Sequence, residues 1–391
     1  MHLTESPEGF AGFCEGKDVG MANGEAAQLR LGRVRAWMAE RGLDAFVVRG
    51  TSDIAWLTSF DGVFDEEQAH CVLVTPGAAV LHTDSRYSEA CAREAEGGPI
   101  AVDAEPKSHA AWCAARLGDA ARLGFDDMMS VREHAAFEKA LADAAFAGEL
   151  VATADAILTL REQKDAFEAE RLKAAQAITD AGFAHIVEYI RPGMTERQVQ
   201  LELDNFMMAQ GADGLAFPTI VATGAHGSSP HAQPGDAVIQ PGDAIVMDFG
   251  ARKGGYCSDM TRTVFVGEPS AELRRAYAVL RRANEECEAM VRAGVVGADV
   301  HAHAEAVLAE GGFGGKMGHG LGHGVGLDIH ENPVLSPRNK QPLPVGAVVT
   351  VEPGIYIPGS FGMRLEDCGL VTETGYEPFG TSTHELVVVG A

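Results

Sequence analysis

The sequence predicts two domains in series: an α/β domain over residues 26–160, then an α+β domain over 165–391 with a pseudo-twofold internal duplication. Three observations carry this. The chain has 391 residues, long enough for two separate cores. Its first part alternates stretches of helical and strand period. Its second part repeats, about a hundred residues on, the order helix pair, turn, carboxylate-bearing strand.

Residues 1–25, beginning MHLTESPEGFAGFCEGKDVG, are acidic and Gly-rich and show no periodicity. They read as a loose tail, and without a basic stretch before an apolar core they do not read as a secretory signal. From Ala26, Leu29, Leu31, Val34, Trp37 and Met38 fall at roughly helical spacing, and Gly42 is the stop. LDAFVVRG follows as a buried strand, and CVLVTPGAAVLHTD as two strands joined at Thr75-Pro76-Gly77. Helices in YSEACAREAEG, HAAWCAARLGD and VREHAAFEKALADA alternate with strands in PIAVDA, RLGFDD and ELVATA, and the domain ends near Leu158–Lys164. No Gly-rich phosphate loop or catalytic cluster occurs there. Its expected work is architectural or partner-facing.

The second domain opens with the helix DAFEAERLKAAQAITDAGFAHIVEYI, which leads to Arg191-Pro192-Gly193. Thr195 to Gln198 then starts another helix as a capping box. The pattern returns in AELRRAYAVLRRANEECEAMV, in Arg292-Ala293-Gly294, and in HAHAEAVLAEG with Asp299 as the expected cap. PGDAIVMDFG carries Asp248 where PVGAVVTVEPG carries Glu352, an offset of 104. GGYCSDMTRT carries Asp259 where GMRLEDCGLV carries Glu366, an offset of 107. Two such halves facing each other would present four carboxylates about one axis.

That arrangement suits cations. Asp248 ends the apolar strand AIVMD, where an unpaired carboxylate is costly to bury, and Asp259 and Glu366 have apolar neighbours too. Metal coordination removes the objection. The tract GKMGHGLGHGVGLDIHE adds an imidazole, and the chemistry of the tract leaves His319 and His323 equally eligible. Glycine at 318, 320, 322, 324 and 326 precludes a stable helix, so this is not the helical His-Glu-x-x-His zinc motif. Alternating glycine points instead to backbone packed against another strand or a ligand. Four carboxylates with one imidazole favour manganese or cobalt, with iron or zinc as alternatives, over a thiolate-rich structural zinc site. Bridging carboxylates can hold two such ions about 3.5–4 Å apart. Arg364, two residues before Glu366, would share a strand face with it and orient a ligand or balance charge.

Composition excludes other classes. The formal charge of −25 repels nucleic acid and anionic lipid, and no apolar run approaches a membrane span. Seven scattered cysteines without a CxxC pair suit a reducing compartment, hence a cytoplasmic protein. Cys257 and Cys368, each two residues from an acidic candidate, read as packing residues.

The segments FPTIVATGAHGSSPH, MDFG with SDMTRT, HGLGHGVGLDIHE, TVEPGIYIP and RLEDCGLVTETG, in that order, resemble the pita-bread metallopeptidases. The similarity is to the branch of Xaa-Pro dipeptidase (prolidase) and Xaa-Pro aminopeptidase, and it covers nearly the whole chain. It implies a creatinase-like, ribonuclease-H-like first domain and a pita-bread catalytic domain. It also implies two divalent metal ions held by Asp248, Asp259, His323, Glu352 and Glu366, singling out His323 over His319. His231, His319 and His330 fall on the family's substrate-side histidine positions, whereas His226, His301 and His303 do not. By this resemblance Glu352 is the proton carrier, and His231 and His330 stabilise the oxyanion and hold the proline side. Arg338, fourteen residues before Glu352, matches the arginine with which prolidases grip a dipeptide carboxylate. The implied substrates are small peptides with proline second, and the implied assembly is a homodimer. Aminopeptidase action on longer peptides is the alternative. Methionine aminopeptidase is disfavoured by the large first domain, creatine amidinohydrolase by the complete ligand set. A catalytically inactive binding protein is disfavoured by the intact site.

Overall fold

The computed structural model describes residues 23–65 and 67–390. The expected tail falls largely on residues 1–22, outside the described residues, and the first helix, Asn23–Glu40, begins three residues earlier than its periodicity indicates. Its buried face, with Leu31, Val34, Trp37 and Met38, packs on the first sheet.

That sheet has six strands in the order 101–103, 79–82, 71–74, 45–48, 122–126, 149–153. The central strand Ala45–Val48 is buried on both sides. Period-2 alternation sends Phe46 and Val48 into one core, while Ala45 and Val47 face another beneath Trp112, Phe137 and Leu141. The strands Cys71–Val74 and Ala79–His82 form the expected hairpin. Two helices of this domain were not expected: Thr51–Thr58, which follows the central strand and buries Ile54, Trp56 and Leu57, and Ala156–Arg161 at the domain's end.

The second domain is a repeated unit. The helices Ala166–Tyr189 and Glu196–Ala209 precede the antiparallel strands Ala244–Phe249 and Met260–Val266. The helices Ala271–Met290 and Gly297–Glu310 precede Val348–Val351 and Asp367–Val371, paired in the same sense. The correspondence reaches single hydrogen bonds. Gly193 N–H donates to Ile239 and Ile239 N–H to Met194, while Gly294 donates to Leu343 and Leu343 to Val295. Gly193 and Gly294 both hold positive φ, at 91° and 84°, the left-handed backbone that glycine adopts at least cost.

The capping box at Thr195 is present, with both reciprocal bonds to Gln198. The expected cap at Asp299 is not. Val296 forms a bridge to Pro342, so the helix enters at Gly297 with Val296 as its N-cap, and Asp299 lies within the first turn. Among the described residues, no helix is long and apolar enough to cross a membrane.

Candidate active site

Each acidic residue of the site is carried by a strand or by the break beside one. Asp248 lies on Ala244–Phe249, directly opposite Thr261, and Asp259 immediately precedes the partner strand Met260–Val266. Glu352 follows Val348–Val351, and Glu366 occupies the break between Phe361–Arg364 and Asp367–Val371. His323 is central in the three-residue strand Gly322–Gly324. The flanking glycines are required by close approach: a Cβ at 322 would sit 2.0 Å from the Thr350 carbonyl oxygen, and one at 324 would sit 2.3 Å from that of Asn332. The sequence-based reading of the alternating glycines therefore holds.

The side chains converge. His323 Nε2 lies 3.5 Å from Asp259 Oδ2 and 3.4 Å from Glu352 Oε1. Asp259, His323 and Glu366 present ligand atoms all within 4.8 Å of one another. The His323 Nδ1 is 3.0 Å from the Gly324 carbonyl, so it carries the proton and leaves Nε2 as a free lone pair aimed at the acids. Burial holds this imidazole well below its usual range, at about 4, so it is neutral at pH 7.

The carboxylates are crowded. Burial, then the neighbouring acids, push Asp259 and Glu366 well above the ordinary range, and burial pushes Glu352 up to about 8. Asp248 Oδ1 is buried with no hydrogen-bond partner among the described residues. Four acids cannot all ionise in such a space without added positive charge. Oxygen-rich donors, a neutral imidazole lone pair and an orphaned carboxylate oxygen together fit divalent cations.

A fixed positive charge stands among the acids. Arg364, 3 % exposed, donates to Asp248 Oδ2, to the Tyr356 hydroxyl (2.8 Å) and to Thr261 Oγ1 (2.9 Å). Thr261 in turn donates to Glu366 Oε2 at 2.6 Å. Arg364 therefore reaches Glu366 through Thr261, and its direct carboxylate partner is Asp248. Thr261 and Tyr356 were not legible as site residues, since neither residue type nor spacing distinguishes them from ordinary strand positions.

The four acids, His323 and Arg364 line a cavity of about 610 Å³ whose apolar wall includes Phe217, Ile329 and Val334. His231, His319, His330 and Arg338 line it as well. His330 stands against His323, ring centroids 4.4 Å apart. His319 Nε2 is 3.0 Å from the Tyr356 hydroxyl, and burial lowers its pKa to about 4. His226 instead pairs with Glu196, and His303 with Glu286, away from the cavity lining. Cys257 and Cys368 are buried among apolar neighbours, as packing residues should be.

The family model described as "Metallopeptidase family M24" matches residues 170–373, and "Creatinase/Prolidase N-terminal domain" matches residues 30–163. An uncharacterized peptidase of Bacillus subtilis, YqhT, is 34 % identical over 92 % of this chain and 100 % of its own length. A structure named Xaa-Pro dipeptidase, from Bacillus anthracis, superposes with a TM-score of 0.86 at 36 % identity, covering 93 % of this chain and 100 % of its own. An X-Pro aminopeptidase from Thermotoga maritima gives 0.82 at 33 %, with 92 % and 100 % covered. The catalytic-domain match spans more than half of the chain, and the cleft it encloses is the one described above. This chain therefore belongs to metallopeptidase family M24: it is a hydrolase with a creatinase-type first domain and a pita-bread second domain.

Proposed function

We propose that the chain is a two-metal Xaa-Pro dipeptidase. The observation that carries this is the convergence of Asp259, Glu352 and Glu366 on His323, with Asp248 lining the same cavity, which is sized for a small peptide. These five residues would hold two ions, and manganese or cobalt suits the donor set better than iron or zinc. Divalent cations bound there supply the Lewis acidity that polarises a peptide carbonyl and acidifies water.

The rest falls to side chains. Glu352 takes one proton from the attacking water as oxygen bonds to the carbonyl carbon, then delivers it to the proline nitrogen as the C–N bond breaks. That proton is essential, because the nitrogen leaves as an amine and not as an amide anion. His231 and His330 donate to the developing oxyanion and hold the proline side, while His319 supports the substrate wall.

Arg338 favours the dipeptidase over the aminopeptidase. It is exposed, lines the same cavity and has no ion-pair partner among the described residues, leaving its guanidinium available to a carboxylate. The 36 % identical Bacillus anthracis protein bears the dipeptidase name, which supports the same choice. Hydrolysis of Xaa-Pro and Xaa-Pro-Xaa peptides by manganese-loaded and cobalt-loaded protein tests the proposal. Preference for Xaa-Pro supports it, and cleavage confined to longer peptides overturns it.

We also place the boundary between the domains at residues 160–165, the protein in the cytoplasm, and the assembly as a homodimer. Met128 and Val131, 84 % and 88 % exposed on the first domain, are apolar surface suited to a second copy. Light scattering at working concentration should give twice the chain mass, and a monomer removes the assembly.

A further inference from the structure

Among the described residues the first domain contributes none to the cavity lining, yet a buried charge node ties it to one wall. Arg161, 3 % exposed at the end of the helix Ala156–Arg161, meets three carboxylates. Asp53 Oδ1 and Asp328 Oδ2 each lie 2.8 Å away, and Glu331 is closer still. Lys164 Nζ holds the other Glu331 oxygen at 3.0 Å. Ser52, on the helix Thr51–Thr58 of the first domain, donates its hydroxyl to Asp328 Oδ1 at 2.6 Å.

All of these contacts but the Arg161–Asp53 pair fasten one short segment. Between Gly326 and Glu331 the chain carries Ile329 and His330 into the cavity. Asp328 N–H donates to Glu331 Oε1 at 3.0 Å, and Gly326 N–H to the Asp328 carbonyl at 3.0 Å, closing the turn on itself. A Cβ at 326 would lie 2.5 Å from Glu331 Oε1, so there is no slack around that carboxylate. The Asp328 and Glu331 side chains thus face the first domain and its junction, while the intervening His330 faces the reacting groups.

We propose that Ser52, Asp53 and Arg161 are positioning residues that act through Asp328 and Glu331 to fix His330, making the first domain part of the catalytic apparatus. A plain interdomain staple would hold the domains together without a specific effect on His330. The inference rests on the reading of His330 as a substrate-contacting residue.

A double-mutant cycle separates the possibilities. Manganese-loaded Asp328→Ala, His330→Gln and the double variant are compared with the unaltered protein for kcat and KM on an Xaa-Pro dipeptide, with bound metal measured in each. Displacing a catalytic group by a fraction of an ångström to an ångström costs up to about a hundredfold, so Asp328→Ala should lower kcat about tenfold, with metal content unchanged. The double variant should be no slower than His330→Gln alone. Ser52→Ala, a milder change that leaves the ion pairs in place, should give a smaller loss that also vanishes in the His330→Gln background. Losses that multiply, or an Asp328→Ala variant as fast as the parent, overturn the positioning role and leave the proposed function standing. A His330→Gln variant of full activity overturns the reading of His330 itself, and the positioning role with it.

Discussion

Arg364 grips Asp248 by one carboxylate oxygen and leaves the other, Oδ1, buried without a hydrogen-bond partner among the described residues. The guanidinium thus fixes the orientation of the acid while neutralising only part of the charge around it. Asp259, Glu352 and Glu366 stand in the same buried space, each pushed upward in pKa by burial. A single arginine cannot satisfy this group, and divalent cations can.

Substrate length is read at Arg338. A guanidinium binds a dipeptide carboxylate through paired, charge-assisted hydrogen bonds. Arg338→Ala should lower kcat/KM for Xaa-Pro about fivefold, or about 1 kcal/mol, the scale for an ion pair made by an exposed side chain. Xaa-Pro-Xaa peptides, whose carboxylate lies further out, should lose much less. Steady-state kinetics on both classes checks this, and equal losses would show that Arg338 does not select length.

The acid limb of stability should report Glu331. Lys164 and Arg161 hold its carboxyl down at about 2 against the burial that opposes them, from an ordinary 4.5. A depressed carboxylate stabilises the fold fully above its unfolded pKa, and the contribution disappears as pH falls from about 4.5 through about 2. The depression corresponds to about 3 kcal/mol. Glu331→Gln should lower stability near neutral pH and flatten its decline across that window. Denaturant unfolding at several pH values measures both, and an unchanged acid limb would mean the node does not stabilise through Glu331.

The chain that presents His323 should be intolerant of a side chain at 322, within the strand, and tolerant of one at 320, before it. A Cβ at 322 meets backbone, the Thr350 carbonyl oxygen, at 2.0 Å, whereas one at 320 meets the Ser336 Cβ at 3.3 Å. Overpacking typically costs about 1–3 kcal/mol, and a backbone obstacle puts Gly322→Ala at or beyond the upper end. Gly320→Ala should unfold near the parent temperature. Thermal unfolding of the two variants checks the contrast, and similar midpoints would contradict it.

The order of elements and the acidic residues were legible because each leaves a local mark. Alternating apolar runs give the strands, and an acid at the end of such a run, as with Asp248 after AIVM, has no cheap explanation but a partner. The repeat was visible as offsets, and paired hydrogen bonds at Gly193 and Gly294 show why its turns recur. Distant partners leave no such mark. Arg161 and Glu331 are 170 residues apart, Thr261 and Glu366 are 105 apart, and nothing near either residue announces the other. Asp299 was misread for a related reason. Its residue type suits a cap, but the bridge from Val296 to Pro342, set by the fold, starts the helix earlier.

Metal stoichiometry coupled to activity tests the central claim most directly. Chelator-treated protein should be inactive on Xaa-Pro dipeptides, and manganese or cobalt should restore hydrolysis as about two ions bind per chain. Asp259→Ala and Glu366→Ala, which remove the two carboxylates grouped with His323, should each lose both ions together. Full activity in metal-free protein, or retention of both ions by either variant, would contradict the account.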